Sequence, residues 1–266
     1  MRISLSAAWD DTRTILARDG RLLAAVALAM LVLPGIVLDV SMPETTPGEL
    51  PPAGAWLAIG AVAIAISLAG QLALIRLALG SGTTVGEAIS HGFKRLLPYL
   101  GALLLWMLPL ILLCVVLYKA AGVGTETPSA APAMGILIVG LIFLFLAFRL
   151  LLSLPVASAE AVGPVETLKR AWALGRGNWW RLFAFAILFA ITLLVILSAI
   201  QAVFGSVVAA ASGGLQPWSL GTLLVSLVTQ LISSAVSVVF FVMVAQMYRQ
   251  VAGAPDGAAG KPKSGT

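Results

Sequence analysis

Six apolar runs, each long enough to cross a bilayer as a helix, limit what this chain can fold into. A hydrocarbon core about 30 Å thick needs about 20 apolar residues in helical form. The runs cover approximately residues 22–40, 56–79, 100–118, 134–154, 182–209 and 220–247. They are continuous and lack period-2 alternation, which excludes barrel strands. The last two exceed one bilayer thickness, so they must tilt, kink or project. Composition agrees: 60% of the 266 residues are hydrophobic, 10% are charged, and mean hydropathy is +1.05. Soluble, disordered and disulfide-framed chains do not have these proportions. The expected fold is therefore an all-α integral membrane protein with six transmembrane helices.

The scarce charges alternate from one connection to the next. Arg2, Arg13, Arg18 and Arg21 precede the first run, and Arg76, Lys94 and Arg95 flank the second connection. Arg149, Lys169, Arg170, Arg176 and Arg181 surround the fourth, and Arg249, Lys261 and Lys263 follow the last run. Of the 16 basic residues, only Lys119 falls on the opposite face, beside Asp39, Glu44, Glu49 and Glu126. The positive-inside rule then places both termini in the cytoplasm. The outer connections are short and rich in Pro and Gly: Pro43, Pro47, Pro51 and Pro52, then Pro128 and Pro132, then Gly213, Gly214 and Pro217. None has room for a catalytic domain. The first run begins at about Leu22 with no small-residue cleavage pattern before Pro43, so no cleaved signal peptide is expected.

A short amphipathic segment precedes every odd-numbered run, at intervals of roughly 80 residues. The first carries Leu5, Ala8, Trp9 and Leu16 as its apolar positions. The second carries Val85, Ile89, Phe93 and Leu96, and the third Val165, Leu168, Trp172 and Gly175. Spacing of three and four residues makes each a helix with one apolar stripe. Gly20, Pro98 and Gly177-Asn178 are expected to separate these helices from the spans, leaving them on the cytoplasmic membrane surface. Pro164 suits a first helical turn, and Glu87 and Glu166 suit the positive end of a helix. Tyr99, Trp179 and Trp180 fall where interfacial aromatics belong. The implied domain covers 1–251, as three units of interfacial helix plus helical hairpin at about 4–80, 84–155 and 164–249. The tail 252–266 reads as disordered.

The densest motif is Arg149-Leu-Leu-Leu-Ser-Leu-Pro155, then Glu160, then Gly163-Pro164-Val165-Glu166-Thr167-Leu168-Lys169-Arg170-Ala171-Trp172, then Gly177-Asn178-Trp179-Trp180. This stretch resembles bacterial multi-pass proteins of the glycerophosphoryl diester phosphodiesterase membrane-domain family and the related YciC-type inner-membrane proteins. The resemblance implies an integral membrane module of a bacterial inner membrane. In some relatives that module is fused to a soluble phosphodiesterase barrel, whose His, Glu and Asp clusters this chain does not carry. The resemblance therefore brings no enzyme activity with it.

Direct reading of reactive residues agrees. One cysteine, Cys114, and one histidine, His91, exclude a disulfide framework and multi-histidine metal centres. No phosphate-binding glycine loop occurs. No catalytic, metal or cofactor site is expected, and the basic excess points to anionic phospholipids of the cytoplasmic leaflet and not to nucleic acid. A membrane protein partner is the other possibility.

Arg76, Lys94, Arg95, Arg149, Lys169, Arg170 and Trp172 are the candidates for lipid-headgroup contacts or helix anchors. Arg149 lies deepest and could pair with Glu160 or Glu166. His91 reads as a solvated headgroup contact. Ser226, Gln230, Ser233 and Ser237 recur on one helical face, and with Gln71 and Gln201 they form either a helix-packing surface or a polar pathway. Pro109 could kink the third run. The leading expectation is a non-enzymatic module that organises lipids or partner proteins. The alternative is a permease for a small or lipid-like solute, although no intramembrane carboxylate other than Asp39 is present to couple ions.

Overall fold

The computed structural model describes residues 3–43, 53–80, 82–120, 130–212 and 220–253. About 90% of the structure is helical, and no strand occurs among the described residues. The helices are α1 (Leu5–Ala27), α2 (Leu33–Ser41), α3 (Ala55–Leu79), α4 (Val85–Ala120), α5 (Ala130–Arg149), α6 (Ser153–Ala159), α7 (Pro164–Leu174), α8 (Trp179–Ile200), α9 (Ser206–Ser212) and α10 (Leu220–Ala252). Five helical stretches are long and apolar enough to cross a membrane, and six if the bent α5–α6 pair is one span. This is a membrane protein. Pro47, Pro51, Pro52, Pro128, Gly213, Gly214 and Pro217, and the tail beyond Gly253, lie outside the described residues.

Two of the anticipated breaks do not occur. Gly20 is inside α1, which continues through a π-helical turn at Leu28–Val32 into α2. Pro98 and Pro109 are both inside an unbroken α4 of 36 residues. A proline deletes one backbone bond but need not end a helix whose other turns are satisfied, and lipid-embedded helices tolerate it. At 1.5 Å per residue α4 is about 54 Å long, well beyond a bilayer core. The first two amphipathic segments are therefore the projecting ends of long helices. Only the third is a separate helix, because α7 stops at Gly175 and Gly177 takes φ +80° before α8 begins.

Two of the breaks that do occur have prolines behind them. The π-turn places the Leu33 N–H on the Leu28 carbonyl, directly ahead of Pro34, which has no N–H to donate. The second break bends α5 from α6 by 41°. Pro155 has no N–H for the Leu151 carbonyl, and its ring crowds that carbonyl. The chain tightens instead, with Ser153 N–H on the Leu150 carbonyl at 2.8 Å. The single run 134–154 is thus two helices that meet at Arg149.

The core lies at one end of the molecule. The C-terminal turns of α3, α6 and α10 are buried almost all round, at Leu72–Ile75, Leu152–Ser158 and Val242–Tyr248. Side chains tie these ends together. Ser158 donates to the Leu72 carbonyl at 3.0 Å, and Gln246 donates to the Ala78 carbonyl at 3.1 Å. Each amphipathic segment rests on one of these ends or beside it: α1 packs along α10, α4 along α3, and α7 against α6 and α4.

The face each segment buries differs from the large-residue stripe. The buried positions are Ala8, Thr12 and Ile15 in α1, Ala88 and Gly92 in α4, and Thr167 and Ala171 in α7, so all but Ile15 are small. Trp9, Phe93, Val165 and Trp172 face outward instead. Small residues one turn apart let two helices approach closely. At Gly92 the approach is so close that a β-carbon would sit 2.2 Å from the Ala69 carbonyl oxygen. Tyr99 is likewise internal, with its hydroxyl bonded to Ser153, and not at the interface.

Gly92→Ala should therefore force α4 off α3 and cost about 1–3 kcal/mol, the usual penalty of overpacking. Gly140→Ala, in open space on α5, should leave stability unchanged or raise it. Thermal unfolding of both variants in detergent checks the contrast, and equal midpoints would contradict the packing described.

Candidate functional site

The candidate cations gather at the buried end, where they divide into those held by protein and those that are not. Arg149 is held. It ends α5 at the bend and is 8% exposed. Its Nη1 donates to the Gly175 carbonyl at 2.5 Å, and its guanidinium lies 4.5 Å from the Trp172 ring centre. Gly175 closes α7, so the cation meets the negative end of that helix. Trp172 adds cation–π attraction. Neither Glu160 nor Glu166 is its partner.

Glu160 is taken by Arg170 in a two-pronged contact, Nε to Oε2 at 2.8 Å and Nη2 to Oε1 at 3.2 Å. The carboxylate raises the Arg170 guanidinium above its ordinary pKa, through the hydrogen bond first and its charge second. Tyr248 of α10 donates to the same carboxylate at 2.9 Å. One acidic side chain thus joins α6, α7 and α10. Asn178 performs a similar junction at the start of α8. Its Oδ1 accepts the Ile3 N–H at 2.9 Å, while Arg181 donates to the Ile3 carbonyl. Gln250 grips Ser4 through both backbone groups, at 2.7 and 3.1 Å. Residues 3 and 4 are thereby fastened to α8 and α10. Asn178, Gln246 and Gln250 were not among the sequence candidates. Their signal was a polar side chain at the end of an apolar helix.

The remaining candidates have no hydrogen-bond or ion-pair partner among the described residues. Lys94 and Lys169 are exposed, Arg95 is half-buried, and Arg76 is exposed three residues before the end of α3. Arg76 and Lys94 are brought together by the α3–α4 hairpin. They line a cleft of about 530 Å³ with Thr83, Glu87, Ser90 and His91. Glu87 is placed by a capping box: the Thr84 N–H donates to Glu87 Oε2 at 2.9 Å, and the Glu87 N–H donates to Thr84 Oγ1 at 3.3 Å. His91 is not fully solvated, because its Nε2 donates to the Ser158 carbonyl at 2.8 Å.

The polar residues of the spans have separate settings. Gln230 donates to Asp39 at 2.9 Å, joining α10 to α2, and its amide fills the space beside Gly35. Gln201 lies in a second π-helical turn, Gln201–Gly205, with its amide folded against Gly205 of the same turn. Ser226 is buried, Ser233 and Gln71 are half-buried, and Ser237 borders an apolar groove with Phe148, Phe189 and Phe240. Gln230 thus reaches across to α2, while the Gln201 amide stays beside its own turn.

Among the described residues, no group of three or more His, Cys, Asp or Glu could hold a metal ion. What the geometry offers is a set of free cations at one end, above apolar surface. That surface is extensive: only 6% of the most apolar window of α4 is buried, and 11% of that in the stretch Trp179–Val208.

The fold and its basic end define a polytopic helical membrane protein. By sequence the chain belongs to the family described as a domain of unknown function, DUF7847, whose model matches residues 3–251. No curated protein and no solved structure matches it.

Arg149→Leu should remove a charge-assisted bond at a helix end and cost about 1.5–3 kcal/mol. Lys169→Gln, on an exposed face of α7, should cost almost nothing. Unfolding midpoints of the two variants in the same detergent test this, and an unperturbed Arg149→Leu protein would remove Arg149 from the framework.

Proposed function

We propose that the chain is a non-enzymatic module of a bacterial inner membrane. It gathers anionic phospholipids, or a partner membrane protein, on the cytoplasmic leaflet. The observation that carries the reading is the free cations Arg76, Lys94, Arg95 and Lys169 at the packed end, directly above helices whose apolar faces are open to lipid. Anionic lipid attracts each such residue by about 1 kcal/mol. The charge bias supports a cytoplasmic location for this end and for both termini.

Three repeated units, each an amphipathic segment followed by two spans, belong to the same proposal. The buried small pairs at Ala8 and Thr12, Ala88 and Gly92, and Thr167 and Ala171 support a common origin. So does the matched burial of the three closing ends. The resemblance of the segment from Arg149 to Trp180 to glycerophosphoryl diester phosphodiesterase membrane domains and YciC-type proteins fits here as well. It contributes the membrane module alone. In this chain those residues form the bend, the α7 cap and the Glu160 junction, which are scaffold contacts.

Two measurements test the proposal. Protein extracted from vesicles of mixed phosphatidylglycerol and phosphatidylcholine should retain phosphatidylglycerol preferentially. Arg95→Gln combined with Lys169→Gln should reduce that enrichment, by up to roughly fivefold per charge. Equal retention of the two lipids by the unaltered protein would overturn the reading. For topology, Lys169→Cys in a Cys114→Ala background should react with an impermeant maleimide in inverted vesicles only. Labelling from the outside would reverse the orientation.

A further inference from the structure

We propose that the cleft between the end of α3 and the start of α4 holds one phospholipid whose headgroup carries both a phosphate and a primary amine. This rests on the lipid-gathering role above and adds to it one place where a zwitterionic, amine-bearing headgroup is selected over an anionic one. The argument is the order of chemistry along α4. Glu87, Ser90, Lys94 and Leu97 follow one another at intervals of three, four and three residues, so they share a face. Leu97 is 76% exposed, and beyond Gly101, where Pro164 of α7 touches the helix, Leu104 and Leu108 are again exposed on this side.

Moving out of the membrane, this face therefore presents an apolar strip, then an ammonium, then a hydroxyl, then a carboxylate. At 1.5 Å per residue the Lys94 and Glu87 backbones are separated by about 10 Å, a gap their side chains can narrow. Arg76 reaches the same cleft from α3.

A phospholipid standing in a bilayer has the complementary order: acyl chain, phosphate, ammonium. Leu97 and the leucines below it take the chain. Lys94 and Arg76 take the phosphate through charge-assisted hydrogen bonds, with Ser90 beside them. Glu87 takes the amine. One of its oxygens is fixed by the Thr84 N–H, and a carboxylate retains further acceptor sites on the other. A glycerol headgroup would bring no cation to Glu87, and a choline headgroup has no N–H to donate. A second cleft at this end sets Asp11 beside Arg18 and Arg249, but Arg18 is already bonded to Asp19 and Arg249 to Gln246, so among the described residues the α3–α4 cleft is the one where unpaired cations meet a carboxylate.

The test uses full-length protein in vesicles of phosphatidylethanolamine, phosphatidylglycerol and phosphatidylcholine in equal parts. Gentle delipidation is followed by native mass spectrometry of the last retained lipid. The unaltered protein should keep phosphatidylethanolamine over phosphatidylglycerol by about threefold, the size of one exposed ion pair. Glu87→Gln preserves the capping box, because Gln serves at that position. It should abolish the preference and turn it toward phosphatidylglycerol. Lys94→Gln should lower retention of every lipid. A Glu87→Gln protein with the original ratio would overturn the proposal, as would an unaltered protein that keeps phosphatidylglycerol best. In that case, surviving anionic enrichment on the whole protein would leave the lipid-gathering role standing. Loss of that enrichment in the unaltered protein would remove both.

Discussion

Lipid tails are as apolar as leucine, so burying a leucine between two membrane helices yields little that lipid does not already provide. Cohesion must come from close backbone approach and from hydrogen bonds that lipid cannot replace. This chain concentrates both at one end. Ala69 and Gly92 bring α3 and α4 into contact, and Gly70 does the same for α3 and the Met30 turn. Gln246, Ser158 and Asn178 then bond to backbone groups of other segments. A side-chain amide at the end of a helix satisfies a group that would otherwise be stranded in a low-dielectric core. The far halves of α4, α5 and α8 have fewer such contacts and present leucine, valine and phenylalanine outward.

The bend between α5 and α6 follows from the same constraint. Pro155 deprives a carbonyl of its donor, and at this place the chain also turns, which exposes a helix end inside the protein. Arg149 is at that corner, and its guanidinium caps the next helix, α7. The Glu160 carboxylate closes the other side through Arg170 and Tyr248. The most motif-like stretch of the sequence is thus occupied by its own scaffold. Its Arg149, Glu160 and Arg170 are already engaged, while Lys169 within it and the plainer-looking Arg76, Lys94 and Arg95 have no ion-pair partner among the described residues.

The helical class, the span positions and the basic face were legible because each depends on local composition. Apolar runs of bilayer length leave few alternatives. The inward face of the amphipathic segments was not legible. The stripe of Trp9, Phe93 and Trp172 reads as the membrane-facing side and does face outward, but the small positions Thr12, Ala88, Gly92 and Ala171 on the inward side carry no signal of their own. Next to lipid, small residues pack and large ones face outward, and Ala8, Ala88 and Ala171 carry the contact. Pro98 and Pro155 illustrate a second limit. Both are prolines in apolar helices, yet only Pro155 accompanies a break. At Pro155 the turn closes on itself through the Ser153 N–H and the Leu150 carbonyl, while Arg149 at the corner bonds to the end of α7, and neither contact is signalled by the proline. Among the site candidates, the sequence grouped Arg76 with Arg149 by their position in the spans. Burial separates them, since Arg149 is enclosed while Arg76 opens onto a cleft.

The two faces of the amphipathic segments give the basic end its character. A small inward face lets each segment sit tightly on a closing helix, and this leaves the bulky apolar side chains pointing away from the protein. On a soluble surface that arrangement would be unfavourable. At the membrane boundary proposed for this end it would suit Trp9 and Phe93, because aromatic rings and basic heads are both well solvated by headgroups and the first methylenes. On the proposed reading, lipid would pack the outward face in the same sense that α3 packs the inward one. The division of labour within a single helical turn, Gly92 inward and Phe93 with Lys94 outward, makes the scaffold and the lipid-facing surface inseparable parts of one helix.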